Sequence, residues 1–269
     1  IGIFQEQIFT GDLVTGCMVA ALVGTVIFGG IKRIAKVAST MVPIMVGIYL
    51  LAAIIIIGKN IHFVPNIFSL IIQDAFSGTA VAGGAVGSMI SIGVRRGLFS
   101  NEAGTGTETM AHGAAKTKEP VREGLVAMLG PFIDTIIVCS ITAIVILLSG
   151  VYTQDLNGVS MTVSAFEHEL GTLGKIVIMV AVLTFSLSTM FGYSYYGRKC
   201  TSYLFGTKWK IVYNWFYVMM IVLASTISID IAINFMDSAF ALMVIPTIIS
   251  TILLAPKVLS ESKRYFNQI

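Results

Sequence analysis

The run Thr184-Phe-Ser186-Leu-Ser188-Thr189 places hydroxyls at 184 and 188, one helical turn apart, with Thr189 close by. Oxygens on one side of a helix suit a hard cation such as sodium, which takes oxygen ligands. The same hydroxyls can also bond back to the preceding turn, so a purely structural role stays open. Thr189 and Tyr193 are four apart and can face one cavity, a hydroxyl beside an aromatic wall. Asp134 is a carboxylate within an apolar run, with Thr135 and Thr142 in the same run as further oxygen donors. It should face a partner, a cation or water inside a helix bundle; a buried carboxylic acid or a helix–helix hydrogen bond would also account for it. Gly83 and Gly84 are adjacent, and Gly83/Gly87 and Gly93/Gly97 are each four apart. Such small residues permit close helix packing, and paired glycines also let a helix unwind so that its carbonyls and amides can bind an ion and a substrate.

Enzyme signatures are absent, so no enzyme is expected. His62, His112 and His168 fall in or beside loops, and none has a second ligand at helical spacing. Gly104-Thr-Gly106-Thr resembles half of a phosphate loop, but no G-x-x-x-x-G-K-[ST] occurs. Cys17, Cys139 and Cys200 are widely spaced in apolar stretches and read as small packing residues. Asp237 lies nearer the end of its run, where a solvated role is expected. No cofactor and no transition metal are expected; sodium is the only metal the oxygens suit.

The elements that must hold these residues follow from composition. Of 269 residues 56% are hydrophobic and 12% charged, which calls for lipid rather than water as the main solvent. Apolar runs lie near 12–29, 37–57, 77–98, 122–149, 173–196, 211–228 and 232–255, each about the length that crosses a hydrocarbon core as a helix. The fold class expected is therefore all-α, a polytopic membrane protein of about seven transmembrane helices in a single domain over 1–269. The glycine-rich third run is the poorest uniform helix. At about 1.5 Å per residue, Asp134 lies roughly 18 Å into the fourth, where an unpaired carboxylate costs about 3 kcal/mol or more.

Basic residues set the direction. Lys32, Arg33, Lys36, Arg95, Arg96, Lys116, Lys118, Arg122, Arg198, Lys199, Lys208, Lys210, Lys257, Lys263 and Arg264 fall on one set of alternate loops, and only Lys59 and Lys175 on the other. Fifteen of the 17 basic residues thus mark one side, which the positive-inside rule makes cytoplasmic, with the C-terminus there. The net charge of +3 reflects these clusters, and nucleic acid is not an expected partner. An external loop over 151–171 is expected to hold a short amphipathic helix near 164–170. The chain opens at Ile1, with no charged segment and cleavage site, and reads as part of something longer.

Arg96-Gly-Leu-Phe-Ser-Asn-Glu-Ala-Gly104, Met110-Ala-His-Gly-Ala-Ala115 and Pro120-Val-Arg-Glu-Gly124 resemble the signature of the alanine or glycine:cation symporter family. Phe132-Ile-Asp-Thr135, Phe185-Ser-Leu-Ser-Thr189, Gly192-Tyr-Ser-Tyr-Tyr-Gly197 and Gly29-Gly-Ile-Lys-Arg-Ile34 extend the resemblance in order along the chain. The resemblance implies two inverted five-helix repeats of the amino acid, polyamine and organocation (LeuT-like) type, of which this chain would lack the first three helices. It implies sodium-coupled symport of a small neutral amino acid by alternating access, in a bacterial inner membrane. The first broken helix, part of both sites in that family, would be absent, so this piece alone would not transport.

On matching positions the resemblance implies a substrate role for Thr189 and Tyr193, with Ala85 and Met89 on the wall of the site; the reading of the residues themselves adds Gly83 and Gly84 to the substrate site and gives Thr184, Ser188, Thr189, Asp134 and Thr135 to sodium. An aromatic is common where Ala85 stands and tryptophan is usual where Tyr193 stands. That departure implies a roomier cavity, for glutamine or serine beside alanine and glycine. Proton coupling through Asp134 is the alternative within transporters; an ion channel or scaffold subunit is the alternative outside them.

Overall fold

The computed structural model describes residues 2–76 and 85–268. Among the described residues the chain is helical and contains no strand. Without water to satisfy N–H and C=O groups, helices close those bonds within one segment. The principal helices are α1 (Gly2–Ile27), α2 (Gly30–Lys59), α3 (Val64–Ala75), α4 (Ala85–Asn101), α5 (Thr107–His112), α6 (Pro120–Ser149), α7 (Val159–Leu170), α8 (Thr172–Phe205), α9 (Lys210–Ala224) and α10 (Ile229–Phe266). Four of them, α2, α6, α8 and most of α10, are long and apolar enough to cross a membrane, and α1 carries a shorter apolar stretch over Gly11–Ile27. Large apolar side chains such as Leu253 and Ile252 are 74% and 67% exposed, an apolar surface of the kind that lipid or further membrane helices cover. The protein is an all-helical, multi-pass membrane protein.

The residues form two compact units. The first comprises Ile1–Val42, Thr105–Lys116 and Phe185–Ile269. Its core joins Val23, Val26 and Ile27 of α1 and Ile34 of α2 to Leu187, Phe191 and Tyr195 of α8, with Tyr217, Val218 and Ile221 of α9 packed alongside. Because lipid tails are as apolar as these side chains, the cluster is held by close dispersion contact rather than by escape from water. Gly16 supplies the close approach, since a Cβ there would collide with Ser225, the residue that caps the end of α9. Thr105 and Thr107 are buried with their hydroxyls 2.9 Å apart, and the Thr247 hydroxyl of α10 reaches the Thr105 carbonyl at 3.2 Å.

The second unit comprises Pro43–Gly104 and Thr117–Thr184. Its α7 packs on the last turns of α6, burying Phe166 and Val145 completely. The helix over 151–171 begins at Val159, earlier than its amphipathic stretch near 164–170 indicated. Two glycines shape this region: Gly150 (φ +71, ψ 0) ends α6 in the left-handed helical conformation, and Gly171 (φ +64, ψ −149) ends α7 in an extended positive-φ region open essentially to glycine alone. Asn60 donates to Glu169 Oε2 at 2.7 Å, and Lys175 pairs with Glu167 at 3.1 Å.

Midway along α6 the backbone widens into a π-helical stretch over Phe132–Cys139, directly after Pro131. Proline has no N–H to give the preceding turn, so the regular ladder is interrupted there, and single π turns inside helices are frequent at functional sites. Asp134 and Thr135 both lie on this widened stretch.

Candidate functional site

In the second unit the last residues of α4 meet the π stretch of α6. Ser100 Oγ donates to Asp134 Oδ2 at 2.7 Å, and Cys139 Sγ lies 3.7 Å from the same Ser100 oxygen. Asn101 Nδ2 donates to Thr135 Oγ1 at 2.8 Å. The orientation of that amide is fixed by the chain itself: the Ala103 N–H donates to Asn101 Oδ1 at 2.9 Å, leaving the nitrogen to face Thr135. Two successive residues of α4 thus satisfy two successive residues of α6. Asp134 and Thr135 keep further oxygen lone pairs for a cation.

Further along α6, Thr142 Oγ1 donates to the Val138 carbonyl at 2.7 Å and is also bonded to Tyr49 Oη of α2. Since the Thr142 proton is committed to Val138, Tyr49 must be the donor in their shared bond. The Tyr49 ring is buried and lies 5.6 Å from that of Phe166. Two polar clusters therefore lie against α6, one of Ser100 and Asn101 with Asp134 and Thr135 and one of Tyr49 with Thr142.

Thr184, also in the second unit, donates back to the Val180 carbonyl. Among the described residues no hydrogen bond joins it to Asp134 or Thr135. Its hydroxyl proton is used, but the oxygen still presents lone pairs, so back-bonding and cation binding are compatible.

In the first unit Ser188 Oγ donates to the Phe185 carbonyl at 2.8 Å, the same back-bonding pattern. Leu187, Phe191, Ser194 and Tyr195 form the buried side of this part of α8, whereas Thr189 is exposed and Tyr193 half-buried on another side. The Tyr193 ring stands edge-on to Tyr196 at 5.7 Å and to Phe240 of α10 at 6.5 Å, so it is propped by two aromatic neighbours. Edge-to-face geometry of this kind holds a ring without filling the space over its free face.

Gly83 and Gly84 lie outside the described residues. Ala85 opens α4 and Met89 follows one turn later. Ser100 and Asn101 were not among the residues singled out for chemistry, although both stand in the run Arg96-Gly-Leu-Phe-Ser-Asn-Glu-Ala-Gly104. Their contact with Asp134 and Thr135 spans 34 positions of sequence, which no local spacing reveals.

The sodium:alanine symporter family model matches residues 2–269. An uncharacterised transporter of Haemophilus influenzae is 41% identical over 263 residues, covering 96% of this chain and 58% of that protein. A sodium/alanine symporter of Methanococcus maripaludis is 40% identical over 261 residues, covering 96% and 57%. A probable sodium/glutamine symporter of Bacillus subtilis is 35% identical over 267 residues, covering 98% and 56%. The chain spans a little over half the length of these relatives.

Proposed function

Because the chain belongs to the sodium:alanine symporter family, a family of transporters rather than enzymes, we propose that it forms part of a sodium-coupled symporter for small neutral amino acids. The family match over residues 2–269 is the observation that carries this reading. The relatives named for alanine and for glutamine support a neutral amino acid substrate without choosing between the two. On this reading the helices are part of two inverted five-helix repeats of LeuT-like type, crossing seven times near 12–29, 37–57, 77–98, 122–149, 173–196, 211–228 and 232–255. The cluster of basic residues on alternate loops faces the cytoplasm, the C-terminus with it.

The mechanism is alternating access. Sodium taken up by oxygens of Thr184, Ser188 or Thr189, or by Asp134 and Thr135, favours an outward-open state that binds the amino acid against Thr189, Tyr193, Ala85, Met89 and the backbone of Gly83 and Gly84. Coupling requires sodium to bind the two states unequally, since a ligand of equal affinity for both shifts nothing. No cofactor takes part; sodium is a co-transported ion.

The test is uptake of labelled alanine, glycine, serine and glutamine into proteoliposomes holding the intact protein, with and without an inward sodium gradient. Uptake that requires the gradient and is competed by one of the four supports the symporter and identifies its substrate class. Uptake that ignores sodium and follows a pH gradient would transfer coupling to protons at Asp134. Cavity size has its own test: Ala85→Phe should narrow the range toward alanine and glycine, and an unchanged range would remove the argument for a larger substrate.

A further inference from the structure

Outside the residues proposed for transport, the first unit holds a cavity of about 570 Å³ lined by Gly29, Gly30, Ile31, Lys32, Tyr195, Arg198, Lys199, Ser202 and Lys210. Four of these are cations, drawn from the start of α2, the last turns of α8 and the first residue of α9. Among the described lining residues none is acidic. Among the described residues no carboxylate forms an ion pair with Lys32, Arg198, Lys199 or Lys210. Lys199 Nζ instead stands 5.7 Å above the Tyr195 ring. Gly30, at φ +73, turns the chain from α1 into α2 in a conformation that suits glycine, and a Cβ there would stand within ordinary van der Waals range of Arg198 Nη1. Bringing four like charges around one cavity is unfavourable by itself, and a bound anion removes the repulsion.

The depth of the cavity indicates the class of anion. It sits where two apolar helices, α1 and α2, end and begin and where α8 gives way to α9, the level at which lipid phosphates lie beside helix ends. Ile31 and the Tyr195 ring supply apolar surface next to the charges. We propose that this cavity binds a phosphate-bearing anion, the headgroup of an anionic phospholipid such as phosphatidylglycerol. Lys32, Arg198, Lys199 and Lys210 supply the positive charge that holds it. The proposal does not depend on the transported solute or on the coupling ion.

Native mass spectrometry of the intact protein in detergent, titrated with phosphatidylglycerol or phosphatidylcholine, tests it. At about fivefold per basic group, Lys32→Gln with Arg198→Gln should weaken phosphatidylglycerol binding about 25-fold. The pair Lys257→Gln with Lys263→Gln, elsewhere in the same unit, should change it less than about twofold, as should the charge-conserving Lys32→Arg with Arg198→Lys. The conservative pair guards against misfolding, because a loss in the glutamine pair that it restores is a loss of charge at a folded site. Phosphatidylcholine bound as tightly as phosphatidylglycerol, or an equal loss in the Lys257/Lys263 pair, overturns the proposal. Displacement of the lipid by millimolar inorganic phosphate would move the source of the anion to solution and overturn the lipid assignment.

Discussion

Asp134 sits in an apolar helix at low cost because its neighbours are arranged around it. Ser100 donates to one carboxylate oxygen, and the adjacent Thr135 is held by Asn101, whose amide is locked in turn by the Ala103 N–H. Ser100→Ala removes the donor and leaves the carboxylate behind, and should lower stability by about 1–2 kcal/mol, read as a lower unfolding temperature in detergent. If Asp134 contributes to sodium binding, Asp134→Asn should raise the sodium concentration for half-maximal uptake at least about tenfold in proteoliposomes; an unchanged sodium curve would leave Asp134 a structural residue. The Tyr49–Thr142 pair makes an asymmetric prediction. Tyr49→Phe leaves Thr142 still donating to Val138 at 2.7 Å, whereas Thr142→Val strands the buried Tyr49 hydroxyl. The second substitution should therefore cost about 1–3 kcal/mol and the first less than about 1 kcal/mol, an ordering that thermal unfolding of the two variants checks.

At the scale of elements, single glycines decide how closely helices approach. Gly174, early in α8, faces the end of α7, and a Cβ there would overlap the Phe166 carbonyl and lie 2.9 Å from Leu170 Cβ. Gly47, in α2 of the same unit, has no atom within 4 Å of such a Cβ. Gly174→Ala should separate α7 from α8 and cost about 1–3 kcal/mol, while Gly47→Ala should be neutral or slightly stabilising through helix propensity. Equal unfolding temperatures for the two variants would refute this account of the α7–α8 corner. Gly106 combines both constraints, with φ +89 and a built Cβ 2.8 Å from Thr247 Oγ1. Gly106→Ala should therefore loosen the Thr105–Thr107 loop from α10, seen as faster proteolysis after Lys116.

At the scale of the whole molecule, orientation follows from charge and is testable without transport. In a variant freed of Cys17, Cys139 and Cys200, a cysteine at Lys263 should react with impermeant maleimide only after the membrane is opened. One at Lys59 should react in intact cells. The reverse pattern would invert the assignment of sides and with it the direction of the proposed cycle.

The sequence alone determined the solvent, the helical class and the family. Hydropathy, charge alternation and motifs such as Arg96-Gly-Leu-Phe-Ser-Asn-Glu-Ala-Gly104 are local or ordered along the chain and need no knowledge of which helix touches which. It also marked Asp134 as a carboxylate in need of a partner, because the cost of burying charge depends on residue type and depth. Tertiary structure decided who that partner is. Ser100 and Asn101 lie 34 positions from Asp134 and Thr135, and their meeting depends on where α4 ends and on the widened turn after Pro131. Likewise Lys32, Arg198, Lys199 and Lys210 read along the chain as separate topology signals. Only the meeting of the α1–α2 turn with the end of α8 and the start of α9 gathers them into one cavity, since like charges far apart in sequence carry no sign that folding will bring them together.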